Sequence, residues 1–124
     1  MTMIKFTKEH EWIKIEEGAA LIGISHFAQH SLGDIVFVEL PKIGGKLTAG
    51  KAFGSIESVK AVSELFAPVS GNVVDVNKTL EDAPELLNED AYANWIVKVE
   101  LDDENELASL MIESEYEEFC KNEK

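Results

Sequence analysis

A short segment of the chain occurs twice, and this repeat constrains the fold more than any other feature. Residues 33–38 read GDIVFV, and residues 71–76 read GNVVDV. Each copy has turn-forming residues followed by a run rich in β-branched residues, which is typical of a turn leading into a strand. The copies flank a hairpin at Lys60. We therefore expect a pseudo-symmetric β-sandwich in which this hairpin points away from the core at one end.

Hydrophobic periodicity predicts mainly β structure with a few short helices. Ser25 and Gly33 are suited to cap and terminate a helix over 25–32. Apolar spacing of i, i+3, i+4 after residue 104 predicts two short amphipathic helices, the second capped by Ser114. The predicted strands outside the repeat are a hairpin over 4–24 with its turn near Glu16 to Gly18, then 52–58, 62–66 and 95–101.

The length and composition fit one folded domain. A chain of 124 residues that is 45% hydrophobic can bury a core without disulfides or metals. We therefore treat residues 1–124 as a single domain. Within it we distinguish an N-terminal hairpin and short helix (4–32), a β-sandwich core (33–101) and C-terminal helices (104–122).

The charge balance excludes several kinds of partner. Eleven lysines and no arginine face 24 acidic residues, which gives a net charge of −13. Such a field repels nucleic acid and anionic lipid, so proteins with basic faces or cationic small molecules are the expected partners. The apolar runs are too short to span a membrane. A single cysteine, Cys120, and an N-terminus without an apolar signal stretch favour a cytoplasmic location.

Recognisable catalytic motifs are absent from the sequence. It contains no glycine-rich phosphate loop, no HExxH and no nucleophile elbow. His26 and His30 are spaced to chelate a metal on a helix, but no third ligand is near them in the sequence. Acidic neighbours oppose thiolate formation at Cys120, so we expect a packed thiol. We therefore expect that the chain is not an enzyme.

Lys60 differs from the other lysines in its surroundings. It lies between two strand-like runs and is flanked by the small residues Ser58, Ala61 and Ser63. A lysine at a hairpin tip presents its amine on a flexible stem, where a modifying enzyme can reach it. Position alone favours an ordinary solvated lysine.

Residues 57–61, with the sequence ESVKA, resemble the lipoylation motif of glycine cleavage system H proteins. The resemblance covers essentially the whole chain, because further blocks match the family pattern in order. These blocks are His10 to Trp12, Gly23 to Ser25, Ala28 and Gln29, Leu32 to Pro41, Phe53 and Gly54, Pro68 to Gly71, Val76 and Asn77, Pro84 to Asn88, and Trp95.

The resemblance implies a fold and a modification. The fold is a lipoyl-type barrel-sandwich hybrid with two sheets related by a pseudo-twofold axis. Lys60 would carry lipoate in amide linkage, and its neighbours would serve in recognition of the attachment turn by a lipoylating enzyme. These neighbours are Glu57, Ser58, Val59 and Ala61. The protein would be a monomeric carrier and a substrate of other enzymes.

The resemblance also implies three partner enzymes of glycine catabolism. A pyridoxal-phosphate glycine decarboxylase (P protein) would load an aminomethyl group onto the carrier. A tetrahydrofolate-dependent aminomethyltransferase (T protein) would take the one-carbon unit, and dihydrolipoamide dehydrogenase (L protein) would reoxidise the arm. The lipoate would perform the chemistry while the protein supplies the tether and the recognition.

The loaded arm would end in an amine that can be protonated. A carboxylate close to it would stabilise the ammonium by a charge-assisted hydrogen bond. We consider Glu11 and Glu64 as arm-docking residues, with Ser63 and His30 as further candidates. Both glutamates are equally compatible with a role as solvated surface acids.

The chain departs from the family pattern at two places. Residues 91–95 read AYANW, where the family has a Pro-Tyr-Gly pattern followed by Gly-Trp, so the turn before the last strand is expected to differ. Some members have histidine immediately before the Leu-Gly-Asp block. Ser31 occupies that position here, and His30 comes one residue earlier.

Three alternatives are weighed against the H-protein resemblance. A biotin carrier has methionines beside its lysine, whereas this chain has Val59 and Ala61. A lipoyl domain of a 2-oxoacid dehydrogenase has an acidic residue directly before the lysine. The third alternative is an H-like protein without lipoate that acts only as a binding module, and the intact mass of the protein would identify it.

Overall fold

The fold is built on two antiparallel sheets. The computed structural model describes residues 3–16 and 19–122. The strands are β1 (Met3–Phe6), β2 (Glu11–Glu16), β3 (Ala19–Ile24), β4 (Ile35–Glu39), β5 (Lys46–Leu47), β6 (Ala52–Ser58), β7 (Val62–Phe66), β8 (Gly71–Val76) and β9 (Val97–Leu101). The helices are α1 (His26–Leu32), α2 (Thr79–Asp82), α3 (Leu86–Glu89), a 3₁₀ helix (Glu104–Ser109) and α4 (Glu113–Lys121). None of the helices in the described ranges is long and apolar enough to cross a bilayer.

The two sheets differ in size. The larger sheet has the order β1-β2-β3-β9-β8-β5, and the smaller has the order β4-β6-β7. The N-terminal strands join the larger sheet because β3 pairs with β9, with Ala19 opposite Glu100 and Ile22 opposite Val97. The sandwich therefore extends beyond the 33–101 range that the sequence suggested for it.

Both sheets contribute side chains to one hydrophobic core. Its buried members include Ile13 and Ile22 from the larger sheet and Ile56 from the smaller sheet, none of them accessible to solvent. A second cluster lies between the larger sheet and α4, where the ring of Phe6 stacks on that of Tyr116 at 4.4 Å between centroids. Removing this apolar surface from water is the main favourable contribution to folding.

The sequence repeat forms equivalent structures in the two sheets. Its first copy lies in β4 and its second in β8, and each strand contains one irregularity in register. The irregularities fall at Val36 and Val74, which occupy the same position in the repeat. Both copies also share the pattern buried, exposed, exposed, buried from their third to their sixth residue. This agreement confirms the pseudo-symmetric sandwich.

Several predicted elements are confirmed. Strands β6 and β7 have the predicted bounds. Ser25 caps α1, because its Oγ accepts a hydrogen bond from the backbone N of Ala28 at 3.1 Å. Gly33 ends the helix with a φ of 78°, in the left-handed region that favours glycine.

Other predicted elements are corrected by the structure. The segment 4–24 contains three strands, because a turn near Thr7 separates β1 from β2. The predicted turn at Glu17 and Gly18 falls outside the described residues. At the other end of the chain, the first helix stops at Ser109 because the backbone of Met111 pairs with that of Phe6.

The predicted cap of the last helix is also wrong. Ser114 lies inside the first turn of α4, and the capping residue is Ile112. The side chain of Glu115 instead accepts a hydrogen bond from the backbone N of Ile112 at 3.0 Å. A carboxylate in the first turn stabilises the helix start as a serine cap would, since it satisfies one free N–H.

Candidate functional site

Lys60 lies at the tip of the β6–β7 hairpin, on a turn whose shape is fixed by one serine. The backbone N of Ser58 donates to the carbonyl of Ala61 at 2.8 Å. The Oγ of Ser58 accepts from the backbone N of Ala61 at 3.1 Å and from that of Lys60 at 3.3 Å. Ser58 is 6% exposed, so its hydroxyl replaces water as the partner of these two amides.

The turn is also attached to the segment that precedes β4. The backbone N of Val59 donates to the carbonyl of Asp34 at 3.0 Å. The stem of Lys60 passes beside Gly33, since a Cβ added to that glycine would lie 3.5 Å from Cε of the lysine. The lysine side chain itself is exposed. Its amine is therefore presented to solvent from a turn that is ordered by Ser58 and by the hydrogen bond between Val59 and Asp34.

Asn88 in α3 holds the segment to which the lysine turn is attached, and the sequence alone indicated no role for it. Its Oδ1 accepts from the backbone N of Ile35 at 2.9 Å, and its Nδ2 donates to the carbonyl of Gly33 at 2.8 Å. Nδ2 also donates to Oε1 of Gln29 at 3.0 Å. These partners lie more than 50 residues from Asn88 in the sequence, so no local pattern indicates the contact.

Some of the sequence-predicted residues are brought close to the lysine. Glu57 is exposed on β6 and pairs with Val62 across the hairpin. Ser63 and Glu64 are exposed on β7, the latter opposite Ser55. His30 is exposed on α1, three residues before Gly33.

Glu11 is placed elsewhere and is buried. It is 2% exposed, and its carboxylate accepts from Oγ1 of Thr7 at 3.0 Å and from the backbone N of Phe66 at 2.9 Å. Phe66 ends β7, roughly 13 Å along the strand from the lysine end at about 3.3 Å per residue. Burial raises the pKa of Glu11 to about 7, although the hydrogen bonds from Phe66 and Thr7 lower it. The free chain therefore does not bring Glu11 to the tip.

A cavity of about 510 Å³ lies between α1 and α4, and Lys60 does not line it. Aromatic rings form much of its wall, among them those of Phe27 and Tyr116. The hydroxyl of Tyr116 is hydrogen-bonded to Oγ of Ser25 at 2.6 Å and to Nδ1 of His10 at 2.7 Å. Burial raises the pKa of Tyr116. The hydroxyl of Tyr116 is therefore engaged in the packing of α4 on the sheet.

The candidate metal ligands form no metal site within the described parts of the chain. The rings of His26 and His30 stack with 6.3 Å between centroids. No group of three or more His, Cys, Asp or Glu side chains in 3–16 and 19–122 could hold a metal ion. Cys120 packs against the aromatic cluster near Tyr116, as expected from its apolar neighbours.

The arrangement at the hairpin tip is suited to covalent attachment of a group. An exposed primary amine is held on a short, hydrogen-bonded turn that projects from a β-sandwich. No described residue forms an ion pair with it within 4.0 Å. The amine is therefore free to be acylated, and the turn gives an enzyme a defined shape to recognise.

Comparisons with known proteins agree with this geometry. The family model described as "Glycine cleavage H-protein" matches residues 4–123. A glycine cleavage system H protein of Alkaliphilus oremlandii is 56% identical over 118 residues, with 95% of this chain and 93% of that protein covered. That of Bacillus velezensis is 50% identical, with 97% and 95% covered.

The fold leads to the same family. The crystal structure of a glycine cleavage system H protein from Mycobacterium marinum superposes with a TM-score of 0.87 at 37% identity, covering 95% of this chain and 96% of that one. Both the sequence match and the structural match extend over nearly the full described length. The chain belongs to the glycine cleavage H-protein family.

Proposed function

We propose that this chain is a monomeric, single-domain lipoyl carrier of glycine cleavage, with lipoate attached to Nζ of Lys60. The observation that carries the proposal is the exposed lysine on a turn that is ordered by Ser58 and by the Val59–Asp34 hydrogen bond. Family membership supports the same role. Space for the lysine stem beside Gly33, which has no Cβ, is consistent with an extended arm at this position.

Each residue of the attachment turn has a distinct part in this proposal. Ser58 holds the backbone, so that the amine is presented in one orientation. Glu57, Val59 and Ala61 are exposed around it and are available to the lipoylating enzyme. Lipoate supplies the redox and group-transfer chemistry when bound, and the chain itself contributes no catalytic residue to that chemistry.

The proposed partners are the three enzymes that act on the arm in turn. The glycine decarboxylase loads the aminomethyl group, the aminomethyltransferase removes the one-carbon unit, and dihydrolipoamide dehydrogenase reoxidises the arm. A tether keeps the reactive group at high effective concentration near each active site, because diffusion is replaced by rotation of the arm. We propose the cytoplasm as the location of this cycle.

Docking of the loaded arm on the protein is a further part of the proposal. Glu64 lies on the hairpin close to the tip, with Ser63 beside it and His30 on the neighbouring helix. Glu11 lies at the far end of β7, and the terminal amine of an arm extended along the hairpin would contact it once its buried carboxylate became exposed. A carboxylate there would stabilise an ammonium by a charge-assisted hydrogen bond.

The intact mass of the protein tests the carrier role. We expect one lipoyl increment after treatment with a lipoylating enzyme, and none in Lys60→Arg, because guanidinium is not acylated. Lys78→Arg, at another exposed lysine, serves as the matched control and should keep the increment.

Two results would contradict the proposal. An unmodified wild-type chain under these conditions would support the binding module without lipoate. A biotinyl increment would instead indicate the biotin carrier.

A further inference from the structure

The smaller sheet has one face on the core and one outer face that no described element covers. Strand register places two rows of residues across this outer face. Phe37, Glu57 and Val62 form the row closer to Lys60. Glu39, Ser55 and Glu64 form the next row, in which Oγ of Ser55 donates to Glu39 at 3.1 Å. We call these six residues the outer face.

The apolar members of the outer face are unusually exposed. Phe37 is 50% exposed and Val62 is 68% exposed, and Val59 at the hairpin tip is 70% exposed. Single exposed apolar residues are normal, but several on one face beside a functional group indicate an interaction site. The exposed side chains here adjoin the turn that bears Lys60.

The repeat shows that the fold does not require this exposure. Phe37 occupies the fifth position of the first copy, next to the bulge at Val36. Asp75 occupies the fifth position of the second copy, next to the bulge at Val74, and is also exposed. The same backbone therefore accommodates a charged residue at this position. Asp75 accepts a hydrogen bond from the backbone N of Val76, which Phe37 cannot do, so a half-exposed phenylalanine at the equivalent position indicates a role outside folding.

The charges of the outer face are all of one sign. Glu57 lies between Phe37 and Val62 in the first row, Glu39 and Glu64 lie in the second row, and the three strands of the sheet contain no lysine. Lys60 at the tip is the adjoining cation. A complementary protein surface would place apolar side chains against Phe37 and Val62 and lysine or arginine side chains against the three glutamates, since such an arrangement steers association and fixes the register of docking.

We propose that the outer face is the docking surface for the acyltransferase that lipoylates Lys60, and that this enzyme contacts it through apolar side chains interspersed with basic residues. The inference rests on the proposed function. Nζ is separated from the backbone by only four methylene groups, so an enzyme that acts on Nζ must cover the tip and the strands beside it. Enzymes that act on the end of the finished arm react one lipoyl length farther from the turn.

The reaction itself sets the same geometric demand. The lone pair of Nζ attacks the carbonyl carbon of an activated lipoate, such as lipoyl adenylate. The amide bond forms, the bond from the carbonyl carbon to the phosphate oxygen breaks, AMP leaves with the electron pair, and Nζ loses one proton to solvent. All of this takes place within one side-chain length of the turn, so the docking contacts must lie close to it.

Lipoylation kinetics of three variants test the proposal. Purified chains are modified by a lipoyl transferase with lipoyl adenylate, and the product is measured by intact mass. Loss of a central apolar contact raises the dissociation constant of an interface roughly tenfold or more. We expect Phe37→Thr/Val62→Thr to raise KM for the chain by roughly that factor, with kcat little changed because the acylated amine is untouched.

The controls separate docking from folding. Val74→Thr alters an exposed valine at the second bulge and should leave KM unchanged. Glu39→Gln/Glu64→Gln should raise KM at low salt and flatten its dependence on salt. Thermal unfolding checks all variants. If the double threonine variant unfolds, Phe37→Asp replaces it, because the second repeat copy carries aspartate at this position.

The outcomes for the two proposals are distinguishable. If wild type accepts lipoate at Lys60 and the threonine variant has the same KM as Val74→Thr, the docking surface is refuted while the carrier role stands. If KM of the glutamine variant depends on salt as KM of wild type does, the glutamates have no role in docking. If wild type accepts no lipoate, the carrier role fails first, and the docking proposal fails with it.

Discussion

Replacing Glu11 by glutamine should change how the stability of the protein depends on pH. The carboxyl of Glu11 is buried between Thr7 and Phe66, and its pKa is raised from 4.5 to about 7, chiefly by burial. Between these pH values the folded chain holds a proton that the unfolded chain has released. Stability contributed by the neutral carboxyl is therefore present below pH 4.5 and is lost as the pH rises through about 7.

The size of the effect follows from the two pKa values. At about 1.4 kcal/mol for each pH unit between them, ionised Glu11 lowers the free energy of unfolding by about 3 kcal/mol above pH 8. Glutamine resembles the protonated carboxyl in shape and carries no charge, so Glu11→Gln removes this loss. The difference in stability between variant and wild type should therefore grow by about 3 kcal/mol from pH 4.5 to pH 8, in favour of the variant.

Urea unfolding measures this difference directly. Fluorescence of Trp12, which is buried next to Glu11 in the sequence, reports the transition at several pH values. Glu100→Gln, at an exposed carboxylate on β9, is the matched control and should follow wild type within about 0.5 kcal/mol. A constant difference between Glu11→Gln and wild type over this pH range would refute the assignment of a buried, proton-binding carboxyl.

Three further outcomes are expected. Raising ionic strength from about 0.02 to 0.2 M shortens the Debye length roughly threefold, so the apparent Michaelis constant of the partner enzymes for this carrier should rise. A Michaelis constant that does not change with salt, while the enzymes keep their activity on small substrates, would contradict steering by the net charge of −13. Ser58→Ala leaves two turn amides without a side-chain acceptor and should cost about 1 to 2 kcal/mol in urea unfolding and slow lipoylation, whereas Ser114→Ala, at an exposed serine on α4, should change neither. Loaded Glu11→Gln/Glu64→Gln should lose its aminomethyl group faster than loaded wild type in the absence of enzymes, and equal decay rates would exclude protective docking.

The sequence carries the information for the lysine hairpin because that information is local. The strand-like runs 52–58 and 62–66 and the small residues around Lys60 set the strands and the tip. The repeat likewise predicts the relation between β4 and β8, since equivalent residues need equivalent environments. These signals act over a few residues, where side-chain period and turn chemistry decide the structure.

Contacts between distant segments could not be predicted in this way. The sequence does not distinguish Glu11 from the other acidic residues among the 24. Only the folded chain shows that it accepts a hydrogen bond from Phe66, 55 residues away. The end of the 3₁₀ helix at Ser109 has the same origin. The local spacing favours continuation of the helix to Met111. The backbone of Met111 instead forms hydrogen bonds with that of Phe6 at the edge of the larger sheet.

The edges of the smaller sheet bear on resistance to aggregation. An uncovered apolar face between two free strand edges would invite copies of the chain to add strand to strand. At one edge the bulge at Val36 interrupts β4. At the other edge the carboxylate of Glu11 accepts the hydrogen bond of the Phe66 N–H at the end of β7. Bulges and occupied edge groups block ladder growth. The chain can therefore expose Phe37 and Val62 at high concentration without forming a growing sheet.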